Sequence, residues 1–207
     1  MLVQKELKNW YIWEYVEPRT PWANTVAYFP FKNDQLDAAW NAVISTTGTQ
    51  QTIGYNFNSS WVMSVTNVTS ARFVNYWVKF GSAKAGENQA PFIGYGEVTY
   101  NYSHSDGGYN QTVSYRASSS SWGHSTTIPT ISWVWYNFAY GYDGTKVIAY
   151  FNWTKVADIT TSAYNNNYWC LWVDIDETLS NLIYETTLRT AEEVLDYYNQ
   201  TKSTYWL

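Results

Sequence analysis

Three groups of side chains in this chain are of kinds that do chemistry. Asp174-Ile175-Asp176-Glu177 crowds acids together, and in an extended strand Asp174 and Asp176 share a face. A carboxyl pair that cleaves a glycosidic bond with retention needs about 5–5.5 Å between its two groups. His104 and His124 are the 2 histidines, each in a polar stretch that reads as loop: Tyr102-Ser103-His104-Ser105-Asp106 and Ser121-Trp122-Gly123-His124-Ser125. Ser103, His104 and Asp106 supply the residue types of a nucleophilic triad, but triad members converge in space rather than in sequence, and no G-x-S-x-G turn accompanies them. Neither an H-x-x-x-H nor a C-x-x-C pair is present for zinc. Gly94-Tyr95-Gly96 is a lone G-x-G without the rest of a nucleotide-binding pattern, and reads as a strand irregularity. Asp34 and Asp37, beside Asn33, and Asp106 could offer hard oxygens to Ca²⁺. Asn and Asp are also the ordinary turn residues, so the expectation is no metal and no cofactor.

The third group is aromatic. With 13 Trp, 20 Tyr and 8 Phe, aromatics make up 20% of the chain, while charged residues make up only 14%. Sugar rings stack their C–H faces on Trp and Tyr, and Asn, Asp and backbone groups bond their hydroxyls. Aromatics with few charges around them therefore suit a glycan surface. The candidates are those outside the stronger strand runs: Trp122, Tyr102, Tyr109, Tyr164 and Tyr168, with Trp61 behind them and His124 beside Trp122. Most of the other rings must be core or cross-strand pairs, since Tyr and Trp are good strand formers and large core residues. Exposed Tyr, Trp and Asn would equally suit a protein contact.

The elements that must position these groups are short strands. Runs at 26–31, 51–57 and 73–80 are apolar or alternating, with Ile53, Tyr55 and Phe57 on one face of the second. Runs at 94–102 and 109–117 flank Ser105-Asp106-Gly107-Gly108, and runs at 131–140 and 146–151 flank Tyr142-Asp143-Gly144-Thr145. Asp-Gly between β-rich runs predicts a hairpin, because Gly takes positive φ at low cost. Runs at 168–173 and 179–184 continue the pattern. Strands with turns every 8–12 residues or so predict an all-β sandwich or barrel. One helix is expected near the end, with Thr190 as N-cap, Glu193 closing a capping box, and Val194, Leu195, Tyr197 and Tyr198 as its apolar stripe up to Gln200. Residues 1–21 mix charges with Trp10, Tyr11, Trp13 and Tyr15, end in Pro18-Arg19-Thr20-Pro21, and read as an anchoring or assembly appendage.

The 207 residues suffice for one domain with a sizeable core. The net charge of −5 and the lack of a Lys/Arg cluster exclude a phosphate-binding nucleic-acid partner. No run of about 18 apolar residues occurs, so membrane insertion is not expected. The first eight residues lack the apolar core of a signal peptide. A single cysteine, Cys170, excludes a disulfide scaffold.

Four patches resemble the concanavalin A-like, laminin-G-like jelly rolls of lectins, bacterial surface proteins and phage structural proteins. Tyr28-Phe29-Pro30-Phe31 with Leu36-Asp37 looks like the opening strand and turn, and Ala71 to Lys79 like the core strand. Trp135 to Tyr140, Tyr142 to Val147 and Tyr150-Phe151-Asn152 look like the central hairpin and the turn after it. Ile175 to Tyr184 and Leu188 to Val194 look like the closing strand and helix. Trp153 departs from the family pattern, which has Gly after Asn152, and the acidic calcium ligands of legume lectins have no clear counterpart. Laminarinase-type glucanases of the same fold carry an E-x-D-x-E strand. Here Asp174 stands where a Glu should be and the second Glu is missing, so Asp176-Glu177 resembles the structural acid pair before the last strand, bonded to nearby backbone or to Arg189. The resemblance implies an antiparallel β-sandwich over residues 22–207 with a short C-terminal helix. It implies a non-enzymatic glycan-binding or adhesion module on a virion or cell surface, in several copies. The alternatives are a purely structural virion subunit, in contact with other subunits, and a glycoside hydrolase.

Overall fold

The structure, a computed structural model, describes residues 2–7, 10–15, 24–30, 44–45, 49–51, 53–57, 63–65, 71–80, 88–93, 96–105, 108–118, 121–131, 133–160, 170–172 and 177–205. In chain order the strands are β1 (Leu2–Leu7), β2 (Trp10–Tyr15), β3 (Thr25–Phe29), β4 (Ile44–Ser45), β5 (Thr49–Gln50), β6 (Tyr55–Phe57), β7 (Met63–Val65), β8 (Phe73–Phe80) and β9 (Asn88–Ile93). Then come β10 (Gly96–Ser105), β11 (Gly108–Ser118), β12 (Ser121–Thr130), β13 (Trp135–Tyr142), β14 (Lys146–Phe151), β15 (Thr154–Thr160), β16 (Cys170–Trp172) and β17 (Glu177–Glu185). Helix α1 (Ala191–Thr201) and a 3-10 turn (Lys202–Tyr205) follow.

The expected all-β antiparallel sandwich with a short C-terminal helix is what these elements build. One sheet runs β12-β11-β10-β9-β16-β7-β4; the other runs β15-β14-β13-β8-β17-β6-β5. Strand β3 shares an edge of β17 with β6: Ile183 faces Tyr28, and Leu179 faces Tyr55. Strands β1 and β2 form a hairpin of their own, registered from Leu2↔Tyr15 to Leu7↔Trp10.

The second sheet is buried on both faces, which is why β8 and β13 are apolar at nearly every position. On one face Val74, Tyr76, Val78, Tyr136, Phe138, Tyr140, Leu179 and Leu182 form the main core, joined by Ile128 from the first sheet. On the other face Phe73, Ala139 and Tyr150 lie under Val194 of α1, and Trp77 and Trp135 pack with Tyr198 and Tyr205. Between these two clusters the buried Asn137 Nδ2 donates to Asn75 Oδ1 (2.7 Å) and to the Tyr76 carbonyl (3.1 Å), fixing the register of β8 and β13.

The capping box forms as expected. Thr190 Oγ1 accepts from the Glu193 amide (3.2 Å) and Glu193 Oε2 accepts from the Thr190 amide (2.9 Å). Val194 and Tyr198 are the buried part of the stripe, while Leu195 is 40% exposed. The Asp143-Gly144 hairpin also forms: Gly144 has φ 103°, and Asp143 Oδ1 accepts from the Thr145 and Lys146 amides, each at 2.7 Å. Asp106-Gly107 joins strands whose last pair is Ser105↔Gly108.

Two expectations are corrected. Residues 51–57 are not one strand. The chain turns at Gly54 (φ 84°), Gln51 N donating to the Gly54 carbonyl at 3.0 Å, and a Cβ on Gly54 would collide with the Leu179 carbonyl. The stretches 102–106 and 121–125, read as polar loops, lie in strands as far as they are described: 102–105 ends β10, and 121–125 opens the edge strand β12, which pairs with β11 through two register shifts. Its ladder with β11 is made by backbone bonds, which a run of Ser and Thr supports without an apolar period. Arg189, one expected partner of the Asp176-Glu177 pair, grips Glu185 through Nε (2.8 Å) and NH2 (2.6 Å), and reaches Glu193 at 3.1 Å.

Candidate functional site

Among the described residues, two tryptophans break the rule that aromatics are buried here. Trp133 is 56% exposed and Trp153 is 43% exposed. Both have left-handed backbone, φ 67° and 65°. For a bulky L-residue that conformation costs about 1–2 kcal/mol, and such strain is worth tracing to a role.

Each ring sits on a braced turn. Ile131-to-Val134 links the two sheets; the Ile131 amide donates to the Tyr136 hydroxyl (2.7 Å) and the Val134 amide to the Ile131 carbonyl (3.4 Å). Ile131 is itself 68% exposed. Asn152 and Trp153 form the two-residue loop between β14 and β15, whose flanking residues Phe151 and Thr154 pair. Asn152 also has positive φ, 44°, so both loop residues meet the requirement of a type I′ turn. Asn152 clamps the loop: its side-chain Oδ1 accepts from the Asn137 backbone amide (2.9 Å), and its backbone N–H donates to the Asn137 carbonyl (2.8 Å). Trp153 thus leaves the turn intact while occupying the second position of a type I′ turn, which favours glycine.

Under these turns lies a run of rings. Trp153 meets Tyr198 at 4.5 Å between centroids, Tyr198 stacks on Trp77 (5.4 Å), Trp77 on Tyr205 (4.1 Å), and Tyr205 meets Trp135 (4.9 Å). Lys202 Nζ lies 5.6 Å above the Tyr198 ring, and Lys79 Nζ lies 5.3 Å above the Trp135 ring. Tyr205 is tied down by hydrogen bonds with Ser180 Oγ (2.9 Å) and Asn181 Nδ2 (2.7 Å). Burial raises the pKa of Tyr198 and Tyr205 above the ordinary phenol value, so both stay neutral.

Strand register places more residues at this end of the sandwich. Tyr109 pairs with His104 on one side and with Thr130 on the other, just where β12 runs into the Ile131-to-Val134 turn. Tyr102 is two pairs further along, opposite Gln111. Trp122 is elsewhere: it pairs with Arg116 at the far end of β11, roughly 20 Å from Tyr109 at about 3.3 Å per residue. His124 lies in the same irregular part of β12. The expected candidates therefore divide between the two ends of a sheet. Trp61, Tyr164, Tyr168, Asp34, Asp37 and Asp106 lie outside the described residues, as do Asp174 and Asp176. Trp133 and Trp153 were not among the expected candidates. The signal for Trp153 was the missing glycine after Asn152.

The arrangement can stack and hydrogen-bond. Among the described residues, no group of three or more His, Cys, Asp and Glu could hold a metal ion, and no helix is long and apolar enough to cross a membrane. Glu185, a fully buried carboxylate, is fixed by Arg189 at the opposite end of β17 from this rim. No family model and no curated protein matches the chain.

Solved structures do resemble it. Domain 4 of AbnA, a GH43 extracellular arabinanase from Geobacillus stearothermophilus, in complex with arabinotriose, is 18% identical with a TM-score of 0.54, over 84% of this chain and 98% of that one. The receptor-binding domain of botulinum neurotoxin mosaic serotype C/D is 10% identical with a TM-score of 0.61 over 86% of this chain. The binding domain of botulinum neurotoxin DC in complex with SialylT is 13% identical with a TM-score of 0.57, also over 86% of this chain. The match spans about half of each toxin domain, 51% and 52%. At these identities the likeness is one of fold.

Proposed function

We propose that the chain is a non-enzymatic carbohydrate-binding module of the concanavalin A-like, laminin-G-like kind. The observation that carries this is the pair of exposed indoles, Trp133 and Trp153, held on left-handed turns at one rim of a sandwich that buries most of its described rings. A flat ring fixed by its backbone loses little entropy on stacking, which favours a weak, shallow ligand. Tyr109 and Tyr102 extend the rim along β10 and β11, while Trp122 with His124 would form a separate patch; Tyr164, Tyr168 and Trp61 complete the proposed set. The solved neighbours support the reading, since one is bound to arabinotriose and another to SialylT.

The setting we propose is an adhesion domain on a phage particle or cell surface, present in several copies so that weak sites add up. Residues 1–21, which contain the β1–β2 hairpin, would be its anchoring segment. A second reading, a structural virion subunit, is favoured by Ile131, whose exposed aliphatic chain suits a protein contact more than a sugar. A glycan array with the wild type, Trp133→Ala and Trp153→Ala separates the two. Loss of retention with folded variants supports the module, and no retention by the wild type refutes it. Reducing-sugar release that Asp176→Asn abolishes would instead establish a hydrolase. Retention that EDTA removes would make Asp34, Asp37 and Asp106 the first candidates for a Ca²⁺ site; we expect EDTA to have no effect.

A further inference from the structure

The cations of this acidic chain are not used evenly. Lys146 and Lys155 both pair with Asp158, at 3.1 and 2.8 Å, and Arg189 with Glu185 and Glu193. Lys79 and Lys202 have no carboxylate partner among the described side chains, and both stand over rings at the aromatic rim. Lys202 Nζ donates to Asn199 Oδ1 (2.9 Å), which orients the ammonium without neutralising it. Asp196, the last acid of α1, is engaged by Gln200. Trp153 and Lys202 both contact the Tyr198 ring, the indole at 4.5 Å between centroids and the ammonium at 5.6 Å.

We propose that Trp153 and Lys202 form a subsite for an acidic sugar, a residue that carries a carboxylate on its ring. This rests on the glycan-binding reading and names its ligand class. The sugar's C–H face stacks on the exposed indole and its carboxylate pairs with the Lys202 ammonium. The turn holds an indole at a positive-φ position that favours glycine, and the cation on the same Tyr198 ring has no carboxylate partner among the described side chains. A neutral sugar would use the first feature only. Lys202 is only half-buried, so the ion pair would contribute modestly: about 1 kcal/mol at most, or roughly a fivefold preference.

The test uses the full chain and two matched pairs of probes: 3′-sialyllactose against lactose, and trigalacturonate against its neutral methyl ester. Calorimetric titration should show the acidic member of at least one pair binding several-fold tighter. The two pairs distinguish a sialic acid from a uronic acid. The preference should fade as ionic strength rises from about 0.01 M to about 1 M, where the screening length shrinks from about 30 to about 3 Å. Lys202→Met should erase it, Lys202→Arg should keep it, and Trp153→Gly should weaken both members of the pair. Equal affinities within both pairs, or a preference that survives Lys202→Met, overturns the subsite, and bound neutral sugar then leaves the module reading standing. Loss of the preference in Lys79→Met alone moves the cation to the other ring and overturns it too. If none of the four probes binds and an array retains no glycan, both readings fall.

Discussion

Substitution at Trp153 gives a sharp test of the left-handed turn, because the usual order of Ala and Gly should invert there. Gly in place of Ala normally costs roughly 0.5–1 kcal/mol through its greater freedom in the unfolded chain. At φ 65° the Ala variant keeps a strain of about 1–2 kcal/mol that Gly relieves. Trp153→Gly should therefore be more stable than Trp153→Ala by up to about 1 kcal/mol. Against the wild type, each variant loses the packing of the indole. A Trp buries about 150–250 Å² when covered, and at 43% exposure a little over half is lost, worth about 2–3 kcal/mol at 25 cal/mol/Å². Relief of strain offsets part of this in the Gly variant only. The expectation is about 1–2 kcal/mol of destabilisation for Trp153→Gly and about 2–3 kcal/mol for Trp153→Ala. Urea titrations followed by circular dichroism read these differences as midpoint shifts at constant slope. An Ala variant as stable as the Gly variant, or more so, refutes the left-handed geometry and with it the case for a strained, presented ring.

Other perturbations check the frame that carries the rim. Glu185→Ala should cost about 3–5 kcal/mol, because it leaves the buried Arg189 guanidinium without its two-oxygen partner; a loss under about 1 kcal/mol in chemical denaturation would show the pair to be solvated. Gly54→Ala should destabilise strongly, since its Cβ meets the Leu179 backbone and its φ is 84°, and soluble protein with an unchanged melting temperature would contradict the turn. Stability should also respond to acid through Glu193, whose carboxyl is held below its usual value of 4.5, first by the Thr190 amide and then by Arg189. A lowered folded pKa means stability that is present above 4.5 and is lost as pH falls through the lower folded value. Glu185 titrates in the opposite sense: burial raises its pKa despite Arg189, so ionising it costs the fold part of what the Arg189 pair returns, and its titration favours the folded state below 4.5 and less as pH rises through the folded value. Melting curves of Glu193→Gln between pH 3 and 6 or so should therefore lose less stability on acidification than the wild type. A steeper loss in the variant would reverse the assignment.

Much of the frame was legible because local chemistry and the fold agree on it. Asp143 and Gly144 form their turn from adjacent residues, and Thr190 and Glu193 cap their helix without help from distant parts of the chain. The misreadings come where tertiary context overrides a local pattern. Ile53, Tyr55 and Phe57 alternate like a strand, but Ile53 packs on the Trp77 and Tyr205 cluster and Gly54 turns beneath Leu179. Residues 121–125 are polar enough for a loop, and their pairing with β11 is set by backbone bonds that composition does not report.

The rim was harder to read because exposure of an aromatic is a property of its neighbours. Trp133 and Trp135 are two residues apart in one stretch of sequence, yet one is 56% and the other 6% exposed. What separates them is a backbone turn: φ is 67° at Trp133, and the Tyr136 hydroxyl holds the turn by accepting from Ile131. Nothing in the side-chain types distinguishes them. Trp153 did leave a trace, because its preceding Asn and the flanking strands announce a turn that ordinarily ends in glycine. A bulky residue in a glycine position costs the fold something in every copy. The Tyr198 contact returns part of that cost but leaves 43% of the residue in water. Core packing alone would be served by a ring on the buried face, so the exposed share points to contact with a ligand, and that is where substitution should separate binding from folding.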